Sequence, residues 1–278
     1  MEKIDTKGLE GIIDDDEIFE RMPLSQRVQH IILAGSFILL ILTGFPLLFP
    51  EMKVMRYIFF FQYSFWVRGL LHRIAAMFLI GVSVYHIFYI VFSEEGNRFA
   101  KEMMPKPKDI YDASALFMHN IGLISFLHRK GILKSFLDRH QQFLFNERPK
   151  FGKYNFIEKF EYMAVVWGNI IMITTGFFLW FEETSIALFP KFVLDIIRVI
   201  HGFEAILAFL AIIIWHMYNV HLNPEAFPMS WIWLNGQISG RDLKHHHPLE
   251  YERIARERLQ MKKASEQAAN LISSEKPR

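Results

Sequence analysis

Four stretches of the chain are apolar for long enough to cross a bilayer, and polar, charged segments separate them. They run over residues 28–49, 70–92, 162–181 and 199–220. Each is about the 20 residues of helix that span roughly 30 Å of hydrocarbon. Apolar positions follow one another without the alternation that a barrel strand needs, so the spans are expected as helices. The pattern predicts an all-α fold: an integral membrane protein with a four-helix transmembrane bundle.

The connections differ in charge. Residues 93–161 carry twelve Lys and Arg, and the tail adds Arg253, Arg256, Arg258, Lys262 and Lys263. The connections 50–69 and 182–198 are short and sparsely charged. The positive-inside rule then puts both termini and the long connection in the cytoplasm. The division that follows is a cytoplasmic segment 1–27, a membrane domain 28–222 that includes the connection 93–161, and a cytoplasmic tail 223–278. Within the connection, LFMHNIGLISFLHRKGILKSFL reads as an amphipathic helix along the membrane surface. Residues 249–271 are charged and helix-forming, as expected of a solvated or subunit-contacting helix. The N-terminus is acidic and polar, so no cleavable signal is expected. No internal repeat is apparent.

Composition narrows the chemistry. Apolar residues make up 52% of the chain and charged residues 22%, consistent with apolar spans between charged segments rather than one evenly patterned soluble domain. A net charge of +2 without a basic, aromatic-studded stripe gives no reason to expect nucleic acid. Cysteine is absent, which excludes disulfides, iron–sulfur clusters, covalently attached haem and thiolate zinc sites within this chain.

Histidine is then the ligand type that remains in quantity. His30, His72, His86, His201 and His216 lie in or at the ends of the spans. An ionisable side chain at membrane depth is costly and marks function by default. His72 and His86 are fourteen residues apart, which is about 40° around a helix and roughly 21 Å along it. His201 and His216 are fifteen apart, about 60° and roughly 22 Å. Two helices therefore offer imidazoles at two depths, an arrangement that can hold two haems with two His on each iron. Arg68, Arg73 and Arg198 cluster near the ends of the spans that carry His72 and His201, where haem propionates would be natural partners. Ordinary interfacial anchoring explains them equally well. Glu204 is expected to pair with Arg198 or a neighbouring helix, His119, His128 and His140 to lie at the surface, and the run His245–His247 to contact lipid headgroups or a partner.

The spacing is similar to that of cytochrome b in the bc-type complexes. More widely, the chain resembles the membrane cytochrome b subunit of respiratory formate dehydrogenases and nickel–iron hydrogenases over residues 27–251. The resemblance rests on RVQH at 27–30 and TGF at 43–45, RGLLHR at 68–73, GKYN at 152–155, RVIHG at 198–202, WHMY at 215–218 and HHP at 246–248. It implies a dihaem b-type cytochrome of the bacterial or archaeal cytoplasmic membrane. Such a subunit passes electrons between quinone (menaquinone or ubiquinone) and an extracytoplasmic partner that carries iron–sulfur clusters or several haems. It implies His72 and His201 as ligands of the outer haem, with His30 and His216 holding the inner one. His86 departs from that pattern, and helical spacing alone favours it over His30 as the partner of His216. The resemblance also implies a quinone site beside the inner haem near GKYN, with Asn155 donating to a quinone oxygen and His216 or His86 nearby. A helix N-cap is the plainer role for Asn155. The competing function class is a haem-free membrane anchor or small proton-linked transporter with structural histidines.

Overall fold

In the computed structural model, residues 9, 11–53, 65–120, 150–224 and 226–274 are described. The amphipathic stretch expected after residue 116 falls largely outside them, as do His128 and His140. The described residues form two compact units.

The membrane unit, Met22–Lys101 and Glu161–Gly236, contains the body of every span. Helix α1 is Leu24–Leu48, α2 is Phe65–Phe92, and α3 is Glu94–Met103. After α4, Pro107–Asn120, come α5, Phe156–Trp180, and the short α6, Glu182–Leu188. Helix α7 runs from Lys191 to Leu210 and continues as π-helix through Ala211–His216 and Tyr218–Leu222. A π turn takes up more residues than an α turn, so His216 lags the azimuth a regular helix would give it. The four spans bury at most 22% of their most apolar window, and the fourth buries none. Their hydrophobic surface is therefore spent on lipid, with Phe78, Ile87, Phe88 and Phe203 among the outward residues.

Polar groups fill the inner faces instead. Ser36, Thr43 and Thr175 are buried, and each hydroxyl donates to a carbonyl one turn back in its own helix. That bond satisfies a donor where no water is available. The short α8, Ile232–Asn235, closes against the start of α1: the Arg27 guanidinium donates to Leu234 O at 2.7 Å, and Met22 N donates to Gly236 O at 3.1 Å.

The second unit gathers Met1–Arg21, Glu102–Phe160 and Gln237–Arg278. Its surprise against an all-helical expectation is a small antiparallel ribbon, β1 (Ile18–Glu20) on β2 (Gln237–Ser239), with Phe19 opposite Ile238. Helix α9, Gly240–His246, is capped by the Ser239 hydroxyl, which accepts from Asp242 N at 3.1 Å. Helix α10, Pro248–Ser274, buries Tyr251 and Ala255. Its Arg258 grips the Glu17 carboxylate with two bonds of 2.7 and 2.5 Å. The two terminal segments are thus tied together.

Candidate functional site

The five membrane histidines fall into three settings, all within the membrane unit. At the start of α2, His72 Nδ1 lies 2.8 Å from the Thr43 hydroxyl of α1. Thr43 has one proton, and it goes to Leu39 O at 2.7 Å. The hydroxyl can then only accept from His72, which places the ring proton on Nδ1 and leaves Nε2 as a free lone pair. The same arrangement recurs in the other helix pair. His201 Nδ1 of α7 lies 2.8 Å from the Thr175 hydroxyl of α5, which donates to Ile171 O at 2.7 Å. Beside each threonine is a glycine, and a Cβ on Gly44 or Gly176 would sit 3.3 Å from the Cε1 of His72 or His201. The pair Thr-Gly therefore holds an imidazole by one nitrogen and leaves room for its ring. His201 and Arg68 both lie near enough to His72 to bear on it electrostatically.

At the other depth, the His30 and His216 rings face each other with centroids 6.4 Å apart and planes at 46°. His216 Nδ1 contacts the Glu161 carboxylate at 3.0 Å. Glu161 also accepts from Asn219 at 3.5 Å. His30 packs on Trp233, and its Nδ1 is buried with no hydrogen-bond partner among the described residues.

His86 has neither nitrogen to spare. Gln29 Oε1 accepts from its Nδ1 at 2.7 Å, while the Gln29 amide donates to Ser25 Oγ at 3.1 Å. The remaining Nε2 receives the Tyr162 hydroxyl at 2.9 Å. Phe99 and Tyr89 flank the ring. In this arrangement His216 faces His30, and His86 is taken up by Gln29 and Tyr162. Sequence spacing placed His86 correctly on the face of His72, but side-chain partners on α1 and α5 decide what each imidazole does.

These contacts fit a haem. An iron bonded to two imidazole nitrogens at about 2 Å each holds the ring centroids about 6 Å apart. A porphyrin would supply the other four donors, so two protein ligands would suffice for a haem at the His30–His216 pair. Among the described residues, indeed, no three His, Asp or Glu gather into a metal-binding group. The profile of the prokaryotic cytochrome b561 family matches residues 21–226. The chain belongs to that family. As a member it is a b-type cytochrome, an electron-transfer protein that crosses the bacterial inner membrane several times. Comparison with individual curated proteins gives no match.

The arginines take different places. Arg198 is exposed and paired with Glu182 at 3.1 Å and Asp195 at 3.2 Å. Arg73 lies over the Trp180 ring at 5.3 Å. Glu204 does not appear among the Arg198 partners; its carboxylate points at Gly168 on α5.

In the second unit, Asn155 is the N-cap of α5. Its Oδ1 accepts from Glu158 N at 2.9 Å, and Glu158 returns a bond to Asn155 N at 2.8 Å, forming a capping box. The carbonyl oxygen is thereby used, and Nδ2 lies outside the box. Glu158 also binds the buried Arg21 at 2.8 Å. The motifs GKYN and HHP meet here: His247 donates through Nδ1 to Gly152 O at 2.8 Å and is buried, so within the run its contact is with the chain itself. Burial, with the Arg21 charge second, pushes its pKa down to about 4.

Thr43, Thr175, Gln29, Glu161 and Tyr162 are the residues that sequence reasoning passed over. The signal was present in TGF at 43–45, which returns as TGF at 175–177.

Proposed function

We propose that this cytochrome is a dihaem subunit that carries electrons between an extracytoplasmic redox partner and the quinone pool. The observation that supports it best is the paired imidazoles at two depths, with His216 turned to His30 and with threonines fixing the tautomers of His72 and His201. On this reading His72 and His201 hold one haem, and His30 and His216 hold the other. Bound haem b supplies one-electron chemistry. The chain's own work is to present an unprotonated Nε2 at each ligand position, to orient His72, His201 and His216 through Nδ1 and His30 by packing on Trp233, and to keep water away.

The distribution of Lys and Arg supports both termini in the cytoplasm, which puts the His30 and His216 level on that side. The two levels are about 21 Å apart along α2 and α7, so together they span most of the hydrocarbon. His86 is then free of ligand duty. With the Tyr162 hydroxyl on its Nε2, it is the group we assign to proton exchange with quinone. Asn155 Nδ2 remains the donor that family likeness offers to a quinone oxygen. Arg68, one turn before His72 on α2, is the arginine we assign to a propionate of the haem at His72.

A reduced-minus-oxidised spectrum of the purified chain with a haemochrome count tests this. Two haems per chain and a sharp b-type α-band are expected. One haem would overturn the dihaem reading, and none in a folded sample would return the chain to a haem-free anchor.

A further inference from the structure

Each half of the membrane unit is a helix hairpin, and the two are built on one plan. Gln29, His30, Thr43 and Gly44 on α1 correspond to Glu161, Tyr162, Thr175 and Gly176 on α5, every pair 132 residues apart. His72 and His86 on α2 correspond to His201 and His216 on α7. Contacts repeat with the residues. Thr43 holds His72 and Thr175 holds His201, both at 2.8 Å. Gln29 holds His86 at 2.7 Å, and Glu161 holds His216 at 3.0 Å. Even the crossed contacts match, His86 meeting Tyr162 of the other hairpin and His216 meeting His30. The plan is broken at two places: His30 stands where the second hairpin has Tyr162, and Glu161 stands where the first has Gln29.

The first break creates a second facing imidazole at one of the two equivalent positions. The second puts a carboxylate behind the imidazole at that same position. We propose that Glu161 is a positioning residue that lowers the electron affinity of the iron held by His216, while Thr43 and Thr175 tune the other iron more weakly. This rests on the dihaem reading above.

The physical argument concerns what accepts the Nδ1 proton. A carboxylate makes a charge-assisted bond, roughly twice as strong as a neutral one, and pushes electron density onto the ring. A more basic imidazole stabilises ferric over ferrous iron. A threonine hydroxyl that already gives its proton to its own helix is a neutral acceptor and does this less. Because Nδ1 of His30 has no hydrogen-bond partner among the described residues, none of them backs the opposite ligand as Glu161 backs His216. Membrane surroundings weaken screening and favour a larger response than at a surface. The driving force between the two irons is thereby set by three side chains that touch neither.

Redox titration of the haem-loaded protein tests this. In Glu161→Gln one midpoint potential should rise and the other stay, with both haems retained. Glu161→Thr copies the hydroxyl backing of the other level and should raise the same midpoint. Thr43→Val and Thr175→Val should raise the other midpoint alone, by less. Gln29→Glu places a carboxylate behind His86 and should move neither. The assignment is overturned if neither Glu161 variant moves a midpoint, if both midpoints move together, or if Glu161 and Thr43 variants move the same one. A lowered midpoint in Gln29→Glu would overturn it as well, by making His86 a ligand. A wild-type protein with fewer than two haems would instead defeat the dihaem reading itself.

Discussion

The His30 and His216 rings lie opposite each other, their centroids 6.4 Å apart and their planes tilted by 46°. His86 lies on the same helix face as His72 and is the partner that helical spacing favours, yet its two nitrogens are bonded to Gln29 and Tyr162. This contrast makes a sharp prediction about haem content. His30→Ala and His216→Ala should each reduce two haems per chain to one, and His86→Ala should leave two. The haemochrome count of the three purified variants checks it. Loss of a haem from His86→Ala with retention in His30→Ala would reverse the pairing.

Room beside the imidazoles is as specific as the bonds to them. A Cβ on Gly176 would sit 3.3 Å from His201 Cε1, tighter than ordinary contact, so the ring must give by a few tenths of an ångström. Gly176→Ala should keep both haems at a cost of about 1–3 kcal/mol, the usual range for overpacking. Gly176→Leu cannot be absorbed, and one haem should be lost while the other stays. Gly44 and His72 should behave in the same way. Haem counting and thermal melts followed at the Soret band read both effects. Full haem content in Gly176→Leu would show that the ring is elsewhere in the loaded protein.

Spans were legible because lipid reads composition directly. Expected limits of 28–49, 70–92, 162–181 and 199–220 lie inside or within a residue or two of Leu24–Leu48, Trp66–Phe92, Phe156–Trp180 and Lys191–Leu222. The misses are mainly at helix starts, where Leu24, Phe156 and Lys191 follow Pro23, Asn155 and Pro190, local signals that an average of hydropathy blurs. The histidines were legible as a set. Their partners were not, because a hydrogen bond from His72 to Thr43 depends on how two helices are rotated, which no single-helix pattern encodes. The repeat was hidden for the same reason: few identities survive, but TGF and the spaced histidines keep the contacts. Glu17, Arg21 and Glu158 looked like ordinary charges and prove to be held by Arg258 and by each other.

Acid should loosen the second unit. The His247 ring is buried, 6% exposed, and titrates near 4, against 6.5 for an unperturbed imidazole. Above pH about 6.5 the ring is neutral whether folded or not, and its full contribution is present. As pH falls below that, the unfolded chain takes up a proton that the folded ring refuses until about 4. Stability is therefore lost across that window, by up to about 3 kcal/mol. Hydrogen exchange of residues 240–258 at pH 7.5 and pH 4.5 should show faster opening in acid. His247→Asn retains a donor for Gly152 O without a titrating ring, and should flatten the difference. An unchanged pH response in that variant would assign the effect to other groups.

The Tyr162 hydroxyl offers the final test, because it separates proton exchange from haem binding. Gln29 fixes the proton of His86 on Nδ1, so the Tyr162 O–H must be the donor to Nε2 and its oxygen stays open as an acceptor. A quinol hydroxyl that gave its proton to this oxygen could pass charge on to His86, leaving a neutral phenol and an imidazolium. Tyr162→Phe removes the hydroxyl and keeps the ring that packs on Phe99. Both haems and both midpoints should be unchanged, and quinol-driven haem reduction should slow by at least about 100-fold, the low end of what positioned proton transfer contributes. Reduction by dithionite, which needs no proton acceptor at this place, should keep its wild-type rate. Stopped-flow traces with the two reductants make the comparison. Equal slowing with both would mean that Tyr162 supports the haem site mechanically, and no slowing with quinol would remove Tyr162 and His86 from the proton route.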